Sequence, residues 1–585
     1  MKNKKEIKVI VKLLSAYKKN IVINMLLSIV LLGAYIVTPM LEQKIIDDGL
    51  ISKNFSYLLK LVIVSAAVGI FSFLLEYLQL QIQAGVAASF RNRLKCESLA
   101  HGLRLKMQYL KKHTLLALMT DANIDVNNMS RVCSNDVFGI LIEFIKVFGY
   151  LVGLLLLSWK LTIIVLLIVP VKILISNIVG RRTKDKMEEL LKIQKNISRW
   201  QSDNYSGVEE IKNWNLYQHI EGEFQNLSGE REKSDKQIYM LSALDTSLKK
   251  TSEKLIFIVI YIFAALQIWN GSLTFGTFIA FIQYAGYLFA PIDVLSGLKM
   301  VLGNVLPSVK SHMNFMSMEE EKLTKGEKKI KVPQTILFNN ITFSYEEQPI
   351  LDNFSLELRR GEKTAILGLN GSGKSTLMQL LLRNYQPQKG NVCFDDTDIE
   401  NYSLKEYRNM FSVMGQNVFL FNTSIENNID MFRGDSSKAW KNEYKDVLSY
   451  VWNFPDKEKT IVGFNGTSLS GGEKQRVALV RSLAKKSEIL ILDEATSNCD
   501  VALEGLFKEL LKENKHAFTI CITHNYDMIE NFDRVILLES GKVKYDGDAK
   551  DAFAYLQGVG EFQKKTQSSG KKRLRKRDVS NGYLL

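Results

Sequence analysis

A glycine-rich loop is the first segment of this chain whose residue types indicate chemistry. After the apolar run 364–367 the sequence reads Gly368-Leu-Asn-Gly371-Ser-Gly373-Lys374-Ser375. A strand that turns through such a loop into a helix directs backbone N–H groups at a polyphosphate, and the glycines permit the close approach and positive φ that this requires. Lys374 is predicted to reach the β- and γ-phosphates, and the hydroxyl of Ser375 is predicted to ligate Mg²⁺.

A pair of carboxylates follows farther along the chain. The wholly apolar run 489–492, typical of a buried parallel strand, ends in Asp493 and Glu494. Asp493 suits the coordination shell of Mg²⁺, and Glu494 suits the polarisation of an attacking water. His524 comes two residues after another apolar run, 518–522, where a core or capping histidine is the default interpretation unless such motifs precede it.

The composition favours a membrane protein over a nucleic-acid-binding protein. The chain has 585 residues and a net charge of +14, and its apolar residues are concentrated before Pro307. The basic residues do not form one patch: Lys4 and Lys8 precede the first apolar segment, and Arg91 and Arg93 follow the second, as expected of cytoplasmic flanks. Membrane lipid is therefore an expected partner, and nucleic acid is not.

Six apolar segments are candidate membrane spans. They are roughly residues 21–41, 58–84, 137–158, 161–179, 255–270 and 274–296. Only Trp159-Lys160 separates the third from the fourth, which predicts a tight outer hairpin. With Met1 inside, the polar segments 85–135 and 180–254 lie in the cytoplasm. Their composition predicts helices that continue out of the membrane and turn back through two coupling loops.

Charged residues within these segments should face protein or a water-filled cavity, because a charge in lipid is costly. They are Glu76, Glu143, Lys146 and Lys172. Glu143 and Lys146 lie three residues apart on one helical face, so they either pair with each other or contact a substrate.

The expected architecture is a multi-domain membrane protein. Residues 1–300 are predicted to form an all-α, six-helix transmembrane domain, 301–333 a charged linker, and 334–558 an α/β P-loop ATPase domain with a helical subdomain. The remaining segment, 559–585, includes the basic run 571–577. It is interpreted as a disordered tail, with contact to anionic lipid headgroups as the alternative.

The run Leu469-Ser-Gly-Gly-Glu-Lys-Gln-Arg476, which opens a predicted helix, resembles the signature of the ATP-binding cassette (ABC) transporters. With the phosphate loop and the six spans, it makes the chain from about residue 15 to 556 similar to an exporter-type half-transporter, in which six membrane helices are fused to one nucleotide-binding domain. The resemblance implies ATP and Mg²⁺ as cofactors and ATP hydrolysis coupled to export across the cell membrane. It also implies a cytoplasmic N-terminus and nucleotide-binding domain.

The resemblance further implies a role for each residue that matches a family motif. The residues expected to contact the nucleotide are Tyr345, Gly368, Asn370, Gly371, Ser372, Gly373, Lys374, Ser375, Thr376, Ser470, Gly471, Gly472 and Glu473. Those expected to act in hydrolysis are Gln416, Glu494 and His524, and those expected to hold Mg²⁺ are Ser375, Gln416 and Asp493. Tyr345 would stack on adenine, although a strand aromatic of this kind taken alone is more often part of a core.

In the family each ATP lies between the phosphate loop of one subunit and the signature of the other. Ser470 and Gly472 are therefore expected to act on the partner's nucleotide, and a second half-transporter is required. A homodimer is favoured because this chain carries every motif, and a heterodimer in which it serves as a regulatory subunit is the alternative. By analogy with the family the cargo is expected to be a small peptide, with a lipid or a drug as the alternative.

Three departures from the family's pattern concern communication between domains. The run after the carboxylate pair reads Ser497-Asn-Cys-Asp500 instead of Ser-Ala-Leu-Asp, Phe464 stands where exporters usually carry a glutamate, and Glu473 replaces the commoner glutamine. None of them removes a phosphate, metal or water contact, so ATP hydrolysis is still expected. The segment 207–214 resembles the second coupling helix of such exporters.

Overall fold

The computed structural model describes residues 4–131, 135–323, 326, 328–433, 438–493, 507, 511, 516–524 and 526–558. The chain divides into two compact units. The first comprises Met1–Leu105 and Tyr109–Glu320, and the second comprises Lys106–Gln108 and Glu321–Leu585.

The first unit consists of helices, one of which begins in the short segment 106–108 of the second unit. They are α1 (Lys4–Leu14), α2 (Lys18–Lys44, followed by a π-helical turn Ile45–Ile51), α3 (Phe55–Gly102), α4 (Met107–Lys112), α5 (Leu115–Ser130), α6 (Asn135–Leu157), α7 (Trp159–Leu166), α8 (Ile168–Ser206), α9 (Val208–Asn213), α10 (Tyr217–Trp269) and α11 (Phe275–Met316). The 48 residues of α3 and the 53 residues of α10 are too many for one bilayer crossing. At 1.5 Å per residue these helices are about 72 and about 80 Å long, against a hydrocarbon core of about 30 Å. The predicted continuation of membrane helices into long extensions is confirmed.

Five described helices are long and apolar enough to span a membrane: Lys5–Ile51, Phe55–Gly102, Trp159–Ser206, Tyr217–Trp269 and Phe275–Val294. The third predicted span falls in α6, whose described apolar part is the shorter stretch Lys146–Leu157.

The predicted hairpin between the third and fourth spans is present, and its turn lies one residue earlier than expected. Ser158 adopts an extended conformation and caps α7 by accepting a hydrogen bond from the amide of Leu161, so α7 already begins at Trp159. The connecting helix α9 lies within the segment predicted as a coupling helix, and Trp214 at its end is 74% exposed.

The helical unit has an aromatic and aliphatic core and an apolar exterior. Leu154, Ile260, Phe281 and Tyr284 are buried together, while many large apolar side chains of the same helices are exposed. This pattern is typical of helices surrounded by lipid. Toward its C-terminus α11 runs on to Met316, past the predicted domain boundary at residue 300, and continues to contribute buried side chains to the helical unit.

Three of the four charged side chains predicted within the apolar segments, those of Glu143, Lys146 and Lys172, form ion pairs, as expected for charges in a membrane domain. Lys172 is 0% exposed and forms ion pairs with Glu253 and Asp293, which lie on α10 and α11. The Nζ of Lys146 lies 2.9 Å from Oε1 of Glu143, which confirms local pairing of these two residues. A contact between that pair and a cargo molecule stays a prediction.

The second unit contains two sheets. Its strands are β1 (Thr335–Phe343), β2 (Leu351–Arg359), β3 (Lys363–Gly368), β4 (Lys389–Phe394), β5 (Thr397–Asp398), β6 (Phe411–Met414), β7 (Ile489–Asp493), β8 (Phe518–Ile522), β9 (Arg534–Glu539) and β10 (Lys542–Asp548). A six-stranded sheet has the order β10-β9-β3-β8-β7-β6, in which the neighbours from β9 to β6 are parallel and β10 is antiparallel. An antiparallel sheet has the order β2-β1-β4-β5.

Helices accompany these sheets. They are α12 (Lys374–Leu381), α13 (Leu404–Asn409), α14 (Ile425–Asp430), α15 (Trp440–Glu443), α16 (Gly471–Ala484) and α17 (Ala549–Gly558). The segment between β6 and β7 is helical and packs around Trp440, whose indole Nε1 donates to Oδ1 of Asp430 at 2.7 Å. This is the predicted helical subdomain of an α/β fold.

Candidate nucleotide-binding site

The register of the parallel strands brings the predicted site segments to one edge of the sheet. Ile366 of β3 pairs with Ile522 of β8, Asp493 of β7 pairs with the same Ile522, and Met414 of β6 pairs with Leu492. The phosphate loop after β3, Gln416 after β6, Asp493 at the end of β7 and His524 after β8 therefore all follow carboxyl ends of neighbouring strands. In open parallel sheets ligands bind at this edge.

The phosphate loop has a backbone that requires glycine. Gly368 has φ +150°, and a Cβ atom added there would lie 2.3 Å from the carbonyl oxygen of Leu538 on β9. Gly371 has φ +83° and Gly373, the residue that precedes α12, has φ +102°. Positive φ at these positions turns the chain directly from β3 into α12, so the first amides of that helix face the loop.

The side chains of the loop fit a polyphosphate. Lys374 is 6% exposed, and its Nζ donates to the carbonyl oxygens of Gly368 and Leu369 at 2.9 Å each. The Oγ atom of Ser372 is buried and has no hydrogen-bond partner among the described residues. A buried ammonium group, an unsatisfied hydroxyl and the N-terminus of a helix form a set of groups that an anionic oxygen satisfies.

The other predicted loop residues lie around this centre. Asn370 and Ser375 are exposed, and Thr376 is buried in the first turn of α12. Gln416 is exposed beyond β6, whereas Asp493 and His524 are partly buried. Glu494, the residue predicted to polarise water, lies outside the described residues, as does the segment Ser497–Asp500.

Tyr345 belongs to an aromatic cluster. Its ring centroid lies 4.9 Å from that of Phe343 and 5.0 Å from that of Tyr385, with near-perpendicular planes in both cases. Edge-to-face contacts of this kind hold the ring of Tyr345 in place. Tyr385 did not emerge from the sequence, because it lies forty residues away and belongs to no motif.

The signature forms the N-terminus of α16, and Glu473 has a local role there. The side chain of Ser470 accepts from the amide of Glu473 at 3.3 Å, and the carboxylate of Glu473 accepts from the amide of Ser470 at 2.7 Å. These reciprocal bonds form a capping box, for which a glutamate is well suited. Tyr450, which no sequence motif indicated, donates its hydroxyl to the carbonyl oxygen of Glu473 at 3.0 Å, and burial raises the pKa of this phenol.

The outer side of the signature is open in this chain. A Cβ atom added to Gly471 or Gly472 would meet no heavy atom within 4 Å. Phe464, which precedes the signature, is 78% exposed. The segment 464–472 is therefore accessible to another molecule.

A P-loop nucleotide-binding unit joined in one chain to a set of membrane-length helices defines an ATP-driven membrane transporter. The family model of the ABC transporter transmembrane region matches residues 21–292, and the ABC transporter family model matches residues 351–497. The chain belongs to the ABC transporter family, as an exporter-type half-transporter that binds ATP and couples ATPase activity to transport.

Among its relatives are lipid flippases. The chain is 27% identical to an "ATP-dependent lipid A-core flippase" of Pseudoalteromonas translucida, covering 87% of this chain and 89% of that protein. It is 29% identical to "ATP-dependent lipid A-core flippase 2" of Colwellia psychrerythraea, covering 87% and 88% respectively. Its fold resembles that of a bacterial Atm1-family ABC exporter solved with ATP bound, with a TM-score of 0.83, 21% identity, and coverage of 92% of this chain and 97% of that one.

Proposed function

We propose that this chain exports a lipid-like amphiphile across the cell membrane as a homodimer, with its N-terminus and nucleotide-binding unit in the cytoplasm. The observation that carries the ATP-driven part is the common sheet edge at which the phosphate loop, Gln416, Asp493 and His524 meet. The basic flanks of the apolar segments support the orientation.

Each residue at the site has a chemical task in this proposal. The loop amides and Lys374 bind the β- and γ-phosphates, and Tyr345 stacks on adenine. Ser375, Asp493 and Gln416 would hold Mg²⁺, which offsets the negative charge that develops on the phosphate oxygens. Glu494 orients and polarises the attacking water, and His524 contacts the γ-phosphate. Thr376 and Asn370 complete the lining of the loop.

The open outer side of the signature supports a shared site. Ser470 is held by its capping box in a fixed position at the start of α16, and the flanking Gly471 and Gly472 leave room for a nucleotide bound to the partner subunit. A helix N-terminus directed at a γ-phosphate stabilises its negative charge. Two copies of this chain would then form two equivalent composite sites.

The relatives change the proposal about cargo. Analogy with the family favoured a small peptide, whereas the relatives named above are lipid flippases, so their names support the alternative of a lipid. An amphiphile also suits the helical unit, whose lipid-facing exterior carries exposed apolar side chains and whose interior pairs Lys146 with Glu143. We therefore propose a lipid-like cargo with a polar headgroup.

A reconstituted translocation assay tests this proposal. Purified full-length chain is placed in liposomes with fluorescent phospholipids, glycolipids or amphipathic peptides. ATP added outside reaches only those molecules whose nucleotide-binding unit is on the outside of the liposome. The ATP-dependent loss of the probe from the outer leaflet is then measured. The matched control is Glu494→Gln, which keeps the nucleotide site intact but removes the group that activates water. ATP-dependent movement of peptides without movement of any lipid probe would contradict a lipid-like cargo, and movement in the Glu494→Gln protein would contradict its coupling to hydrolysis.

A further inference from the structure

A cluster of three tyrosines lies inside the helical unit, at the level of the predicted spans. It consists of Tyr35 on α2, Tyr150 on α6 and Tyr287 on α11. The ring centroids of Tyr35 lie 6.5 Å from Tyr150 and 6.3 Å from Tyr287, and those of Tyr150 and Tyr287 are 5.6 Å apart. Each residue lies inside one of the predicted spans, and none is within five residues of a span's end. Five residues of helix rise about 7.5 Å, so this tyrosine cluster belongs to the membrane part of the unit.

Hydrogen bonds and close packing hold the three helices together around the tyrosine cluster. The buried Tyr284 of α11 donates its hydroxyl to the carbonyl oxygen of Ile36 on α2. Nε2 of Gln283 donates to Oε1 of Glu42 at 2.9 Å, which joins the same two helices again. On α6, a Cβ atom added to Gly153 would lie 2.9 Å from the ring of Tyr284. These contacts fix the backbones that carry the tyrosine cluster.

One cation already lies on the tyrosine cluster. Nζ of Lys146 is 5.3 Å from the centroid of the Tyr35 ring, within the distance of about 6 Å that is typical of cation–π contacts. The same ammonium group donates to Oε1 of Glu143 at 2.9 Å. A lysine carries this group on a flexible side chain of four carbons. The contacts therefore show that the Tyr35 ring and Glu143 together accommodate a primary ammonium group.

The charged pair beside the tyrosine cluster is accessible to another molecule. The side chains of Lys146 and Glu143 remain 21% and 18% exposed. Gly33, two residues before Tyr35, and Gly286 on α11 are exposed, and a Cβ atom added to either would meet no heavy atom within 4 Å. When the lysine moves away, Glu143 lacks a counter-ion in a region where an isolated charge is costly. A second cation then stabilises the carboxylate.

We propose that this site binds the ammonium group of the exported amphiphile, and that Lys146 is a tethered cation which the cargo displaces. The ammonium of the cargo takes the position of Nζ, where it donates to Glu143 and lies over the ring of Tyr35. Its apolar chain stays among the apolar side chains of the spans. A phosphate headgroup is disfavoured, because it would place an anion beside Glu143. This inference rests on the proposed function, since it specifies the headgroup of the cargo.

Equilibrium binding in the absence of nucleotide tests the site. The full-length chain is kept in a neutral detergent, and the binding of tritiated dodecylamine is measured by scintillation proximity. Dodecanol, dodecyl phosphate and butylamine are the competitors, and we expect none of them to match unlabelled dodecylamine. Dodecanol lacks the charge, dodecyl phosphate carries the opposite charge and butylamine lacks the chain. Equal competition by dodecanol or dodecyl phosphate would overturn the recognition of a cation, and equal competition by butylamine would assign the site to a small soluble amine instead.

Two charge substitutions should act in opposite directions. Lys146→Gln should raise the affinity for dodecylamine about tenfold, because it removes the competing cation and leaves Glu143 unpaired. Glu143→Gln should lower that affinity about tenfold, because the charge-assisted hydrogen bond is lost. Lys160→Gln, which removes an exposed lysine of α7, is the matched control and should bind like the wild type. A Lys146→Gln protein that binds dodecylamine no better than Lys160→Gln would overturn the displacement, and one that binds dodecyl phosphate less tightly would show that Lys146 holds an anion instead.

The contribution of the aromatic ring is tested at Tyr35. Tyr35→Leu should lower the affinity for dodecylamine about fivefold, whereas Tyr35→Phe should keep it, because the ring and not the hydroxyl attracts the cation. Tyr77→Leu, at a tyrosine of α3 that is 54% exposed, is the matched control. Equal affinities of Tyr35→Leu and Tyr77→Leu would overturn the role of the ring. ATP binding is measured for every variant, so that a misfolded protein is recognised as such.

The translocation assay described above is scored separately from these binding measurements. Movement of a lipid probe without specific binding of dodecylamine would refute this site and leave the proposed function standing. Specific binding of dodecylamine without ATP-dependent movement of any lipid probe would refute the proposed function and leave the ammonium site standing.

Discussion

The close contact between Gly368 and β9 allows a quantitative prediction for the nucleotide-binding unit. A Cβ atom at residue 368 would lie 2.3 Å from the carbonyl oxygen of Leu538 and 2.6 Å from Oγ of Ser372, at a φ of +150°. The first neighbour is backbone in the middle of a sheet, so it cannot move aside. We expect Gly368→Ala to cost about 4 kcal/mol, from about 1–3 kcal/mol of backbone strain and about 1–3 kcal/mol of overpacking.

Gly361→Ala is the matched control that measures the free-energy cost of the positive-φ backbone conformation alone. Gly361 precedes the same strand, has φ +87°, and an added Cβ would meet no heavy atom within 4 Å. It should therefore cost only the left-handed conformation, about 1 kcal/mol. In a domain of this size 1 kcal/mol lowers the unfolding midpoint by about 2–4 °C, so we expect shifts of about 2–4 °C for Gly361→Ala and about 8–16 °C for Gly368→Ala.

Differential scanning calorimetry of the full-length variants measures the unfolding of the nucleotide-binding unit, and ATP titration measures the site. Gly368→Ala should also weaken ATP binding about tenfold or more, because relief of the overlap displaces the loop that binds the phosphates. Gly361→Ala should bind ATP like the wild type. Equal midpoints for the two variants, with normal ATP affinity in both, would refute the close approach of the loop to β9.

Three further predictions concern chemistry and assembly. Glu494→Gln should retain ATP binding and lower hydrolysis by orders of magnitude, whereas Lys374→Ala should weaken ATP binding itself. Parallel ATP-binding and phosphate-release assays distinguish the two variants. Near-normal turnover of the Glu494→Gln protein would contradict the role assigned to Glu494. Mixing Ser470→Arg chains with Lys374→Ala chains should restore ATPase activity, because a mixed dimer has one intact composite site; full activity of a strictly monomeric preparation would disprove the shared site. Burial raises the pKa of Cys521 to about 12, so peptide-level mass spectrometry after alkylation at pH 8 should find this thiol unmodified and the exposed Cys96 labelled.

The nucleotide site is more predictable from sequence than any other part of this protein. Its motifs are local, and each follows an apolar strand, so the parallel register alone brings segments from Gly368 to His524 to one edge. The capping role of Glu473 cannot be seen from a family pattern, because it depends on where the helix that begins after Ser470 starts. The helix α11 extends to Met316 because its later turns still bury apolar side chains, a property that the charged composition after residue 316 obscures.

The helical unit is harder to predict because its decisive contacts are distant in sequence. A charge within a membrane segment signals that Lys172 must have a partner, but Glu253 and Asp293 lie 81 and 121 residues farther along, on two other helices. Which carboxylates reach it depends on how α8, α10 and α11 pack, and an apolar helix surface carries no local pattern that specifies this packing.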